Sequence, residues 1–317
     1  MMENRLDFPE IVLGSAMWGW TVPKTRAFEL LDAYYSAGFR RIDAATNYPI
    51  NKQAGDFRRS EQILMEWIKV NGIRDLSVLM KVGSLSNMGL PDHNLKPAFL
   101  LYNWRYYQGF LGENLGGLMI HWDNRVEVSL IAESLAILQQ INEAGLEVGF
   151  SGVKHPDIYA KLNETLQLSF LIQLKHNLTY SDYPRYAPLH DAGRFYAYGI
   201  NGGGIKLNGK SYHSDSSLKV RGGDIEGSMT ISKNLSSRLA VYNKQYPDRA
   251  IHKMNEAAMA FALQSPGLAG ILIGPSRLAQ LNDSLAFYRK VQQGHYLNLF
   301  SILLEIHQTY APEDRQI

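Results

Sequence analysis

Eight short runs of apolar or β-branched residues, at 11–15, 40–43, 77–81, 118–121, 147–151, 170–175, 195–198 and 270–273, alternate along this chain with longer stretches of helical period. Parallel strands need a crossover of a dozen or more residues, and a helix makes it compactly, so the alternation predicts repeated βαβ units. In one such stretch Phe28, Leu31, Tyr34 and Tyr35 follow i, i+3, i+6, i+7 spacing and predict a single buried helix face. Gly38 then stands where a helix C-cap belongs. Seven right-handed crossovers joining eight strands favour closure into a (β/α)8 TIM barrel. The rival is an open doubly wound sheet, which usually has fewer strands and a G-x-G-x-x-G first turn; no such turn follows the first run.

The 317 residues suit one barrel domain spanning 1–317, somewhat above the roughly 250 typical of the fold. A composition 45% hydrophobic and 20% charged, with both signs dispersed, is that of an ordinary globular protein. A net charge of +2 and no Lys/Arg tract give no footprint for nucleic acid or for a membrane surface. No run of about eighteen apolar residues occurs, and the acidic start carries no apolar signal core, so the cytoplasm is the expected location. The absence of cysteine excludes disulfides, thiolate metal sites and a cysteine nucleophile. The nine histidines form no H-E-x-x-H or similar cluster, so no metal is expected. Residues 207–237, rich in Ser, Gly, Asn and Asp, read as a lid loop at the barrel mouth, and 295–317 as a terminal helix and tail.

Four polar residues fall where such a fold would gather them. Asp43 closes Gly38-Phe-Arg-Arg-Ile-Asp43, Lys81 closes Leu76-Ser-Val-Leu-Met-Lys81, and His121 closes Leu118-Met-Ile-His121. Tyr48 lies five residues after Asp43, in the following loop. In a (β/α)8 barrel, catalytic groups come from the C-terminal ends of several strands and the loops behind them. Singly, each has a plain structural explanation: a helix cap, a solvated lysine, a packed ring, a core histidine. Together, in the chain order Asp, Tyr, Lys, His, they resemble the catalytic tetrad of the aldo-keto reductase family.

That resemblance implies a nicotinamide-dependent reductase of an aldehyde, ketone or sugar carbonyl, with Tyr48 as proton donor. A phenol with an ordinary pKa of about 10 is a slow donor near neutrality. The resemblance therefore assigns Lys81 to lower it, Asp43 to keep the buried lysine charged, and His121 to hydrogen-bond the carbonyl oxygen. Leu13-Gly-Ser-Ala-Met-Trp18-Gly19, Ser60-Glu61 and His121-Trp122 are similar to further family segments. Gly149-Phe-Ser151-Gly152 stands where the family has Gly-Val-Ser-Asn, so Ser151 is carried over as a nicotinamide carboxamide ligand while Gly152 offers no amide. Gln173 resembles the family's carboxamide-binding glutamine, and Tyr198 its ring-stacking aromatic. The distal cofactor binds, on this reading, along Gly274-Pro-Ser276-Arg277-Leu-Ala-Gln280, with a helix starting near Ser276 and its free amides facing a phosphate. Arg277 is the only nearby cation for a 2'-phosphate, so the expectation of NADPH, with NADH possible, is mainly what the family resemblance implies.

The link 49–59, with Lys52, Arg58 and Arg59, is longer than the family habit, and its charges are candidates to meet a substrate phosphate or nucleotide sugar, against the plainer reading of a solvated loop. Two other functions compete. Some members of the family are cofactor-binding regulatory subunits with slow turnover. A barrel glycosidase would need two facing acids, and among the predicted strand ends only Asp43 supplies one.

Overall fold

All eight expected strands form: β1 (Glu10–Gly14), β2 (Arg41–Ala45), β3 (Ser77–Val82), β4 (Leu115–Asp123), β5 (Glu147–Val153), β6 (Phe170–Asn177), β7 (Gly193–Tyr198) and β8 (Leu268–Ile273). The structure is a computed structural model that describes residues 8–90, 92–207 and 225–311. Each strand pairs in parallel with the next, and β8 returns to β1, so the sheet closes as a (β/α)8 barrel. Around it lie α1 (Lys24–Ser36), α2 (Arg59–Asn71), α3 (Pro97–Leu111), α4 (Val128–Glu143), α5 (Pro156–Leu166), α6 (Ile225–Gln245), α7 (Met254–Gln264), α8 (Leu278–Gln292) and the terminal α9 (Leu297–Tyr310).

The crossover from β6 to β7 departs from the repeat. It is made by a short antiparallel strand, Tyr180–Ser181, and a 3₁₀ helix, Tyr183–Leu189. Pro184 and Pro188 lie in that stretch, and proline removes the amide an α-helix would need there. The segment expected as a lid loop is also corrected in part. Residues 225–237 belong to α6, while 208–224 lie outside the described residues.

Strand alternation divides the core into two. Outward-facing residues pack under the helices in one large cluster that includes Ile42, Val78, Leu118, Val148 and Ile172. Inside the barrel, Val12, Leu79, Met119, Leu171 and Tyr196 form a separate apolar layer, with Ala269 and Leu272 against it. That inner layer is the floor beneath the mouth, and its packing makes the barrel a core rather than a pore. At the opposite end Arg41 pairs with Glu10 and Glu147, Arg194 with Glu147, and the Tyr196 hydroxyl donates to Glu10.

Helix α1 shows how local pattern is refined by packing. Its buried face is Ala27, Leu30, Leu31 and Tyr34, so the expected Phe28 and Tyr35 sit at the edges of the stripe, partly covered. Gly38 follows with φ +92°, while its own N–H donates to Tyr35 O and the Phe39 N–H to Tyr34 O. A side chain at that left-handed position would be strained, which is why the chain turns there.

Candidate active site

The strands bring Asp43, Lys81 and His121 together through the stagger of the barrel. Asp43 is in register with Leu79, and Lys81 lies two residues further on; Lys81 is in register with Met119, and His121 again lies two further on. Tilted strands require such a climb for side chains to share one level around the axis. From β4 onward the site runs straight across: His121 is in register with Ser151, and Ser151 with Gln173.

At the centre is a buried ion pair. Lys81 is 1% exposed and Asp43 2%, and the Lys81 ammonium donates to Asp43 Oδ1. Gln173 completes the group, accepting from Lys81 Nζ at 3.0 Å and donating from Nε2 to Asp43 Oδ1 at 2.6 Å. Burial pulls the lysine below its ordinary pKa, and the adjacent carboxylate opposes that fall by charge and hydrogen bond. The ammonium lies 5.1 Å from the centroid of the Tyr48 ring, and the His121 ring stands edge-on to Tyr48 with centroids 6.0 Å apart.

Burial, with the Lys81 charge beside it, drives the His121 pKa well below its usual value, so its imidazole is neutral. Its Nδ1 is buried and has no hydrogen-bond partner among the described residues, which leaves Nε2 as the ring nitrogen available to a ligand. The arrangement therefore offers a phenol, a neutral imidazole and a fixed cation at one place.

The loop carrying Tyr48 is clamped from below. The Ser60 N–H donates to Tyr48 O, Ser60 Oγ donates to Ser15 O, and Ser15 Oγ donates to Asp43 O. Arg58, expected as a candidate for substrate phosphate, turns away from that role. It bonds Glu61 Oε1 at 2.7 Å and the Tyr107 hydroxyl at 3.2 Å, while Tyr107 donates to Glu61 Oε2 at 2.6 Å. A lone Glu61 on the helix predicts none of this, because Tyr107 comes from α3. Arg59 pairs with Asp56 and packs against Gly19; Lys52 is exposed.

A second set missed by sequence reading supports the loop after His121. Trp122 adopts φ +61° and packs its indole on His121 at 4.7 Å. The next residue, Asp123, is 1% exposed and accepts from Arg125 Nε at 2.9 Å, Arg125 NH2 at 2.7 Å and the Tyr159 hydroxyl at 2.6 Å. Burial pushes its carboxyl up, but these bonds hold it below the ordinary value. The only sequence signal was an Asp directly after His-Trp. Gly152, at φ +76°, lies under the same indole: a Cβ there would stand 2.5 Å from Trp122 Cδ1. The ring of Trp122 takes the space a side chain at position 152 would need.

Around the mouth, Ser151 is buried on β5 and Tyr198 is half-buried at the end of β7, in register with Lys175. Desolvation, followed by the charge of Asp182, pushes the Tyr198 phenol well above its ordinary pKa, so it is a neutral ring. Beyond β8, Gly274 is exposed, and a Cβ built there meets nothing within 4 Å. The helix after it starts at Leu278 rather than near Ser276, with exposed Arg277 as its extended N-cap. No side chain caps that N-terminus, so its first amides are open to an acceptor. Gln280 folds back to accept from Ser276 N at 2.9 Å and Ser276 Oγ at 3.0 Å. One cation went unread in the sequence: Lys253, the N-cap of α7, pairs with Asp283 on α8. Among the described residues there is no cluster of three or more His, Cys, Asp or Glu placed to hold a metal, and no helix is long and apolar enough to cross a membrane.

A closed parallel barrel with a buried Lys–Asp pair beneath a tyrosine and a neutral histidine at its mouth defines an oxidoreductase class, and the match is direct. The Aldo/keto reductase family profile covers residues 10–293, and the chain belongs to that family. Membership implies nicotinamide-dependent reduction of small carbonyl compounds. The chain is also similar to an uncharacterized 11.2 kDa protein in the crtE 3' region of Pseudescherichia vulneris, 36% identical over 81 residues, which are 25% of this chain and 79% of that protein.

Proposed function

We propose that the protein reduces an aldehyde, ketone or sugar carbonyl to the alcohol, with NADPH preferred to NADH and Tyr48 as proton donor. The observation that carries this is the Lys81–Asp43 pair, held almost without solvent directly beneath the Tyr48 ring. A buried ion pair is a weak way to stabilise a fold. Placed beside a phenol, it is an effective way to tune an acid.

When bound, the cofactor would supply a hydride to the carbonyl carbon. As the carbonyl π pair moves onto oxygen, neutral His121 stabilises the developing charge through an Nε2 hydrogen bond, and Tyr48 gives its proton to that oxygen. The phenolate left behind is favoured by the Lys81 ammonium, which Asp43 in turn keeps charged, and solvent restores the phenol. Ser151 and Gln173 would hold the nicotinamide amide, and Tyr198 would face the ring. Gln173 keeps one N–H and one lone pair beyond those it spends on Asp43 and Lys81. The open face at Gly274, with Ser276, Arg277 and Gln280 at the uncapped helix start, suits a phosphate. The cytoplasm is its proposed location.

The test is Tyr48→Phe, which removes the hydroxyl and keeps the ring. On a panel of sugar and aromatic aldehydes its turnover should fall by about 10²–10⁴-fold with cofactor affinity nearly unchanged. A variant as fast as the parent would sink the mechanism. Tight NADPH binding by a parent that turns over no carbonyl would favour a cofactor-binding regulatory subunit instead.

A further inference from the structure

Gln173 stands 130 residues from Asp43 in the chain, yet it closes a three-membered ring of contacts with Asp43 and Lys81. Its two partners fix which way the amide faces. A lysine ammonium can only donate and an ionised carboxylate can only accept, so the amide oxygen meets Lys81 and the amide nitrogen meets Asp43. All three side chains are within 2% of full burial, so water does not take over if one is lost. An amide is the side chain whose two ends answer a cation and an anion at once, and the length of glutamine lets it span them from β6.

We propose that Gln173 is a positioning residue of the proton-delivery site: it aligns the Asp43–Lys81 pair under Tyr48 and keeps both members charged. This rests on the reading of Tyr48 as the acid and extends it. Without the amide, the ammonium loses one of its acceptors and the carboxylate loses a neutral donor. A carboxylate without that donor turns more of its negative charge toward Tyr48, and an ammonium short of an acceptor holds its proton less well, so both losses weaken the positive field that Tyr48 meets. The role is separate from any contact with a cofactor, because the three-membered ring is complete in the protein alone.

The distinguishing variant is Gln173→Glu, equal in length and shape. When protonated, its carboxylic acid still donates to Asp43 and accepts from Lys81; when ionised, it places two carboxylates on one ammonium. Two carboxylates sharing a site hold a proton to raised pH. Turnover of Gln173→Glu, taken relative to its own value at acid pH, should therefore fall about tenfold or more as pH rises between roughly 5 and 8. The parent and Gln173→Leu should lack that limb, with Gln173→Leu low throughout. A second readout needs no turnover. In the full chain without cofactor, the ultraviolet phenolate titration of Tyr48, isolated by subtracting the Tyr48→Phe titration, should move up by about 1 in pKa in Gln173→Leu and in Gln173→Glu. If Gln173 serves only a bound cofactor, both variants weaken NADPH binding but leave the Tyr48 titration and the shape of the pH profile as in the parent; that result overturns the proposal. A parent inactive on every carbonyl would overturn the proposed reaction and still leave the titration to decide the role of Gln173.

Discussion

Removing one member of the buried ion pair should cost far more than removing both. In Lys81→Met the Asp43 carboxylate, 2% exposed, keeps the Gln173 N–H but loses its counter-charge; in Asp43→Asn the ammonium, 1% exposed, is stranded in the same way. Breaking a buried pair from one side typically costs about 3–5 kcal/mol, whereas replacing both partners is often close to neutral. For a chain of this size that is a fall in Tm of about 5–8 °C for each single variant. The double variant Asp43→Asn/Lys81→Met should lie within about 1 kcal/mol of the parent, so the two losses are strongly non-additive. Denaturant melts without cofactor, on the parent and three variants, read this directly. A pH series adds a sign. Burial pulls Lys81 below its ordinary 10.5, and losing Asp43 pulls it lower, so the folded Asp43→Asn chain binds fewer protons than the unfolded one. Its deficit should therefore shrink as pH is raised toward 10.5. Single variants as stable as the parent, or a double variant that loses the sum of the two, would refute the account of the pair as a mutually dependent buried unit.

Other consequences concern the rest of the fold and site. Burial, with the charge of His307 adding to it, lowers the His176 pKa to about 3. The unfolded chain gains that proton near 6.5 and the folded chain does not, so stability is full above 6.5 and should be lost by roughly 2–3 kcal/mol by pH 4.5; His176→Gln should flatten that part of the slope in acid melts, and an unchanged slope would count against it. Gly152→Asn can keep the left-handed backbone, but its Cβ must displace Trp122, so it should cost about 1–3 kcal/mol and alter the tryptophan emission; a silent variant in both measurements would show that the indole does not occupy that space. Arg277→Ala should remove the preference for NADPH over NADH in calorimetric titrations while leaving NADH binding in place, and an unchanged ratio would turn attention to Lys253.

What the sequence made legible was whatever alternation and position encode locally. Asp43, Lys81 and His121 could be placed at strand ends because each closes an apolar run, and the structure gathers them at one level through strand tilt. Gly38 was legible as a helix stop because its φ of +92° suits a residue without a Cβ. The failures share another cause. Arg58 reads in sequence as one charge in a basic loop, and its commitment to Glu61 and Tyr107 depends on where α3 lands. The start of α8 was misplaced by two residues because Ser276, a favoured N-cap type, instead bonds Gln280 ahead of the first turn. The segment at 225–237 was read from composition, yet it is helical. Its Ser and Asn residues lower helix propensity only slightly, and Leu235 and Leu239 are buried on the helix, so packing decides.

Trp122 and Gly152 show why a departure from a motif should be read together with its neighbours. In sequence, a glycine after Ser151 looks like the loss of an amide ligand. In the structure it is a condition for the left-handed Trp122 to lay its indole across β5 and against His121. That left-handed turn is costly for a bulky residue and persists only because its surroundings over-determine it. Asp123, anchored by Arg125 and Tyr159, supplies that constraint from the residue directly following. The indole beside the neutral histidine thus takes its position from a glycine on one strand and a buried carboxylate on another.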